Sequence, residues 1–429
     1  MVVSCGKEND FELEEDPDIE NPETTKKPNI LLIIADDMGL DACPGYEIGP
    51  EKPFMPTLQS LINSGITFNN VWSNPTCTPT RSTLLTGKYG FRTNVMKVDD
   101  KLSTSEISLQ KYLDSNLGNE YSHAVIGKWH LSNDANHPTN MGIDYYAGSL
   151  GGGLKTYWNW NLVEYNQSSS SSEYTTTKYT DLAIDWVEDQ TKPWFLWLAY
   201  NAPHEPFHLP PTNLHSKGNL PTDDASIEAN PLPYYLAMLE AMDTEIGRLL
   251  SSMTTQEKEN TVIIFFGDNG TPNQVVQTYN SRRAKGSLYQ GGVNVPMVIS
   301  GKNVDRIHET ENALINITDL YATIANIAGI EVFKINDSYS FKDLLSNSGD
   351  SIRDYVYSET GENPNAADIT IRNHTHKYML FESGEEVLFD LSVDPLESKN
   401  LLHSRNLPLN EQNSQMKDEL IAMLEMLKK

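Results

Sequence analysis

Ile30-Leu31-Leu32-Ile33-Ile34-Ala35-Asp36-Asp37 decides how the rest of the chain is read. An unbroken apolar run of strand length, with no polar alternation, marks a strand buried on both faces, as in a sheet covered by helices on each side. Two carboxylates follow it directly, at the edge where open α/β sheets carry their sites. The pattern recurs three times. Tyr121 to Ile126 leads to Lys128 and His130, Trp194 to Leu198 leads to His204, and Thr261 to Phe266 leads to Asp268-Asn269. One such pair would be no more than a turn or a helix cap; four point to a shared site.

Between these strands lie helical patterns. Pro56 to Asn63 sets Leu58, Leu61 and Ile62 on one side, with proline at its start and Gly65 past its end. Ser105 to Leu113 reads as a second helix, Pro233 to Ser252 as a third with Leu236, Leu239, Met242, Ile246 and Leu249 at helical spacing, and Thr318 to Ala328 as a fourth, stopped by Gly329. Ser168 to Ser172 and Thr175 to Thr177 form a polar low-complexity stretch that reads as a surface loop.

After about Asp343 the pattern changes to short strands at Tyr355 to Ser358, Ile369 to Arg372, Tyr378 to Phe381 and Val387 to Leu391, with a turn at Ser383-Gly384. A helix with Met416, Leu420, Met423 and Leu427 on one face closes the chain. The expected fold is therefore α/β: a large mixed sheet sandwiched by helices over residues 28–343, and a smaller C-terminal α+β domain, a short antiparallel sheet plus helix, over 344–429.

Residues 1–27 stand apart. Val2-Val3-Ser4-Cys5 looks like the end of a bacterial lipoprotein signal, whose cysteine would carry a lipid, and the acidic Gly6 to Glu23 would be a tether with too little apolar material to pack. That reading implies a protein exported in a bacterium, periplasmic or held at a membrane through Cys5. Three cysteines make no disulfide scaffold, and Cys43 reads as a small buried or loop thiol.

The chain of 429 residues carries 59 acidic against 32 basic residues, a formal net charge of -27, which excludes a general binder of the nucleic-acid backbone. An anionic substrate is compatible only if a few cations, or a metal, are concentrated in one cleft. Asp36, Asp37, Asp268 and Asn269 offer oxygen ligands only, the set preferred by a hard divalent cation such as calcium or magnesium. Zinc would favour histidine or thiolate.

Pro75-Thr76-Cys77-Thr78-Pro79-Thr80-Arg81-Ser82-Thr83-Leu84-Leu85-Thr86-Gly87 resembles, position for position, the signature of the type I, formylglycine-dependent sulfatases of the alkaline phosphatase superfamily. Gly127-Lys128-Trp129-His130 is similar to that family's second motif, with Glu120 where a preceding glycine is expected. Asp36-Asp37-Met38-Gly39, Gly267-Asp268-Asn269-Gly270, Lys285-Gly286-Ser287 with Gly291-Gly292, and Leu388-Phe389-Asp390-Leu391 with Asp394-Pro395 and Asn400-Leu401 extend the resemblance from about Asn29 to Leu402. Without its neighbours Cys77 would read as a buried thiol.

The resemblance implies that a formylglycine-generating enzyme oxidises Cys77 to an aldehyde, whose hydrate attacks the sulfur of a sulfate ester and later expels sulfate with its second hydroxyl. It implies one calcium ion on Asp36, Asp37, Asp268, Asn269 and residue 77. It assigns Arg81 to neutralising this group, Lys128 to supporting it, His130 to deprotonating its second hydroxyl, and His204 and Lys285 to holding sulfate and protonating the leaving oxygen. Thr80 to Thr86 reads as a helical turn, which puts position 77 near a helix N-terminus that favours an anion. The implied substrate is a sulfated carbohydrate. Tyr157, Trp158 and Trp160, interleaved with Asn159 and Asn161, fit either a sugar-stacking face or ordinary core. A phosphonate or phosphate-ester hydrolase of the same superfamily, and a silent glycan-binding protein, are the alternatives.

Overall fold

The computed structural model describes residues 1–3, 26–349 and 351–429. Cys5, expected to carry a lipid, and the acidic stretch expected to be a tether lie outside the described residues. Among those described, no helix is long and apolar enough to cross a membrane.

The strand Asn29–Ala35 runs through the middle of a ten-stranded mixed sheet, parallel to Thr261–Gly267 on one side and Trp194–Ala199 on the other. Ser122–Lys128 and Tyr145–Ser149 continue the parallel block beyond Trp194–Ala199. Antiparallel strands extend both flanks: Met297–Gly301 with Gly65–Phe68, and the hairpin Trp160–Glu164 with Gln167–Ser171. Alternate residues of the central strand enter two apolar layers, Ile30, Leu32 and Ile34 on one face and Leu31, Ile33 and Ala35 on the other. The unbroken apolar run is thus explained by burial on both faces.

Pro56–Asn63, Thr175–Glu188 and Leu232–Ser252 cover one face; Cys77–Thr86, Leu109–Leu117 and Asp319–Ile327 cover the other. The helix expected from Ser105 starts at Leu109, because Ser108 is its N-cap and accepts a hydrogen bond from the Lys111 N–H at 3.1 Å. The serine-rich stretch is not a loop. Gln167–Ser171 is an edge strand paired through its backbone to Trp160–Glu164, and Thr175 opens a helix. An edge strand with both faces largely in water needs no apolar side chains, so its composition hid it.

The four short C-terminal strands, Val356–Asn363, Ala366–Arg372, His376–Leu380 and Glu386–Asp390, form an antiparallel meander. The closing helix Glu411–Leu427 packs Leu420, Leu424 and Leu427 on one face of it. Val356, Met379, Val387 and Phe389 seal the other face against Trp72, Val293 and Leu314 of the large domain. At this junction the buried Glu359 accepts hydrogen bonds from the Phe91 N–H at 2.8 Å and the Tyr357 hydroxyl at 2.7 Å.

Burial pushes the Glu359 carboxyl up to about 7, against the opposing pull of those two donors. An acid whose folded pKa exceeds its unfolded value of 4.5 stabilises fully below pH 4.5 and loses that contribution as pH rises through 7. The loss is on the order of 3 kcal/mol. Glu359→Gln should therefore flatten the decline of melting temperature between pH 4.5 and 7 relative to the parent, as measured by calorimetry across that range.

Candidate active site

Because the central strands are parallel and in register, their C-terminal ends deliver side chains to one place. Ala35 pairs with Gly267 and Ile34 with Ala199, so Asp36, Asp37 and Asp268 emerge side by side, with Asn201 and His204 following the neighbouring strand. Lys128 ends the next strand. Across from this edge, Cys77 is the first residue of the helix Cys77–Thr86, every residue of which is buried. That helix ends on Gly87 in the left-handed region at φ 63°, where a Cβ would come within 2.9 Å of the Tyr321 ring.

The expected residues converge. The Cys77 thiol lies 3.1 Å from Nδ1 of His130 and 3.4 Å from Nζ of Lys128. Lys128 also donates to Asp36 Oδ2 at 2.5 Å. Arg81, fully buried four residues along the helix from Cys77, donates to Asp268 at 2.9 Å and to the Lys128 carbonyl at 2.7 Å, and lies 3.9 Å from Asp36. Asp268 accepts the Asp37 N–H at 3.0 Å, and the Asn269 amide donates to Asp37 at 2.8 Å. Lys285 reaches Asp37 at 2.5 Å, with Nε2 of His204 3.8 Å from the same oxygen.

Electrostatics follow from burial and sign. Burial raises Asp36 despite Lys128, and raises Asp268 to about 6 with help from Asp36 and against Arg81. At Asp37 burial is outweighed by Lys285, His204 and Lys128, which bring it down to about 2. Burial pushes the Cys77 thiol up to about 11, with Lys128 opposing. Burial and then Lys128 hold His130 far below the ordinary imidazole range, so it is a neutral base. His204 is lowered by burial against the pull of Asp37. Lys128 and Lys285 stay charged because Asp36 and Asp37 override burial.

Two oxygens in this cluster, Asp36 Oδ1 and Asn269 Oδ1, are buried without a hydrogen-bond partner. Asp36, Asp268 and Cys77 each offer a ligand atom within 4.8 Å of the others. Unpartnered buried oxygens beside paired carboxylates fit a hard divalent cation.

The aromatic segment divides. Trp160 is largely buried, its indole N–H donating to the Glu173 carbonyl at 3.0 Å, yet it also lines the cleft beside the site, and Tyr157 is buried with its hydroxyl on the carbonyls of Asn201 and His204. Trp158 is 39% exposed and lies against Tyr174 and His208. A cleft of about 530 Å³, lined by Gly151, Gly153, Lys155, Asn159 and Asn161, adjoins the site. Its glycine loop is pressed on the catalytic histidine candidates: a Cβ on Gly152 would lie 2.3 Å from the His130 ring, and one on Gly153 3.3 Å from His204. Arg372 is buried and spent on Asn70 and local carbonyls, away from the cluster. One contact escaped sequence reading: Asp99, in a run that looks like a solvated turn, touches His130 at 2.9 Å.

The chain belongs to the sulfatase family: the family model described as Sulfatase matches residues 28–330, and that described as N-sulphoglucosamine sulphohydrolase, C-terminal, matches 282–426. Mouse arylsulfatase J is 29% identical over 71% of this chain and 53% of its own length, so the chain spans about half of that relative. The ulvan-active sulfatase of Formosa agariphila is 27% identical over 90% of this chain and 79% of its own. Among solved structures, Ps i-CgsB in complex with k-i-k-neocarrahexaose shares the fold with a TM-score of 0.74 at 23% identity, covering 93% of each chain. BT4656 in complex with its substrate D-glucosamine-2-N,6-O-disulfate has a TM-score of 0.77 at 20% identity, covering 94% of this chain and 98% of that one.

Removing one partner from a buried ion network strands the others, at a cost of about 3–5 kcal/mol. Arg81→Ala should lower the unfolding free energy obtained from urea denaturation by an amount in that range, while Arg92→Ala, at a half-exposed ion pair with Asp337, should cost about 1 kcal/mol or less.

Proposed function

We propose that the protein hydrolyses sulfate esters of a carbohydrate, with a formylglycine made from Cys77 as nucleophile and one calcium ion held by Asp36, Asp37, Asp268, Asn269 and residue 77. The observation that carries this reading is Cys77 at the first turn of a buried helix, 3.1 Å from the His130 imidazole and 3.4 Å from a lysine that also binds Asp36. When bound, the cation and the hydrated aldehyde would supply a hydroxyl at position 77 that loses its proton readily.

The chain's own residues do the rest. His130 presents Nδ1 to position 77 as proton acceptor. Lys128 and Arg81 set positive charge beside the reacting group, the kind of fixed charge that is often the largest catalytic contribution. His204 and Lys285 keep 15% and 23% side-chain exposure, so they stand at the mouth, where a leaving alcohol departs and where a proton must be delivered. His204 Nδ1 is held by the Glu205 carbonyl at 2.8 Å, which turns Nε2 toward Asp37 and the site. The balance of three carboxylates by three buried or half-buried cations leaves the charge of a bound metal free to attract an anion.

A carbohydrate substrate is supported by the open cleft with Asn159, Asn161 and Lys155 and by relatives named for action on ulvan and amino-sugar sulfates. Incubation with a panel of sulfated oligosaccharides should release free sulfate, and Cys77→Ala should lower the rate by roughly 10⁴-fold or more with folding intact. Faster turnover of a matched aryl phosphonate than of the aryl sulfate would overturn the sulfate assignment. Mass spectrometry of the peptide ending at Arg81 checks the aldehyde directly.

The metal has a readout independent of turnover. A ligand at a hundred times its Kd adds about 2.7 kcal/mol to stability. Calcium should raise the melting temperature of chelator-treated protein, and Asp36→Ala should lose that rise.

A further inference from the structure

We infer that Asp99 is a positioning residue for His130, fixing the imidazole tautomer that faces position 77. This inference rests on the sulfatase reading above. His130 is used at both ends: Nε2 lies 2.9 Å from Asp99 Oδ1 and Nδ1 lies 3.1 Å from the Cys77 sulfur. An ionised carboxylate can only accept, so the single ring proton of a neutral imidazole sits on Nε2 and the bare lone pair of Nδ1 points at residue 77. The Cys77 sulfur occupies the place of the reacting group, and the geometry is that of a nucleophile, a base and a carboxylate that orients the base.

Each member of this line is held independently. The His130 ring is 4% exposed, its face covered by the Gly152 backbone, and the His130 backbone N–H donates to the Leu150 carbonyl at 3.0 Å. Asp99 takes a left-handed backbone, φ 65°, and donates its N–H to Thr78 Oγ1 at 3.2 Å. Thr78 is the neighbour of Cys77 on the same helix, so the orienting carboxylate and the nucleophile position are tied to one rigid element. The adjacent Asp100 carboxylate accepts the N–H groups of Met96 and Lys97 at 2.8 and 3.0 Å, which closes the loop that carries Asp99.

A purely structural hydrogen bond would predict a different result. The Asp99 side chain is 73% exposed, and a hydrogen bond with so exposed a member contributes about 1 kcal/mol or less to stability. A residue that instead fixes a base should affect rate far more than fold, on the scale of about 10–100-fold out of the ~10²–10⁴ that general base catalysis supplies.

The experiment compares the parent with Asp99→Ala and Asp99→Asn. We expect kcat for an aryl sulfate and for a sulfated oligosaccharide to fall about 10–100-fold in Asp99→Ala, with KM and melting temperature nearly unchanged. Asp99→Asn, whose amide oxygen still accepts from Nε2, should recover part of the loss. In ¹⁵N-histidine-labelled protein at pH 7, with the signal assigned by His130→Gln, the His130 ring should show the Nε2–H tautomer in the parent and a mixture in Asp99→Ala. A kcat within twofold of the parent, a rise in KM at constant kcat, or an unchanged His130 tautomer in Asp99→Ala would overturn the inference. If the parent releases no sulfate from any substrate, the functional reading fails, while the ring signal still decides whether Asp99 sets the tautomer.

Discussion

Three carboxylates, Asp36, Asp37 and Asp268, are packed together almost completely out of water at the edge of the large sheet. Desolvation alone would make such a cluster untenable. It persists because Arg81 and Lys128 bury their full charge against it and Lys285 closes its outer side. The rest of the fold can be read as the means of meeting that requirement. Parallel pairing of Asn29–Ala35 with Thr261–Gly267 sets Asp36 beside Asp268, and a fully buried helix brings Arg81 in from the opposite side. In a chain of net charge -27, three cations thus meet three carboxylates at this edge.

That requirement also explains what the sequence made legible. Strands buried on two faces must be continuously apolar, so Ile30 to Ala35, Thr261 to Phe266 and Trp194 to Leu198 could be read directly, and the polar clusters after them marked the site. Resemblance to the family's motifs implied one cluster of Cys77, Arg81, Lys128, His130, His204 and Lys285, and the structure brings these residues together. The serine-rich hairpin was not legible, because an edge strand is specified by backbone pairing and asks nothing of its outward side chains. Asp99 was not legible either. An aspartate beside another aspartate and two lysines looks like solvent-facing turn, and only the left-handed backbone reveals why it turns inward to His130. Trp160 packs its ring on Tyr179 and also lines the cleft, a matter of its place in the hairpin rather than of composition.

The C-terminal sheet reaches the site indirectly. Glu359 holds the Phe91 N–H, and Glu362 pairs with Lys97. These contacts brace the segment between the end of the Cys77 helix and Asp99 from the outside. The small domain thus acts on the geometry around His130 without contributing a side chain to the cluster, through a loop that both domains hold.

The complete enclosure of Cys77–Thr86 bears on the history of each molecule. Cys77 is 2% exposed, and its whole helix lies inside the folded protein. No second protein can grip that segment as an extended substrate once the sheet and its covering helices have closed over it. On the proposed function, an enzyme that rewrites residue 77 would have to reach it before the chain folds, so the chemistry of the site would depend on the order of two events, modification and folding.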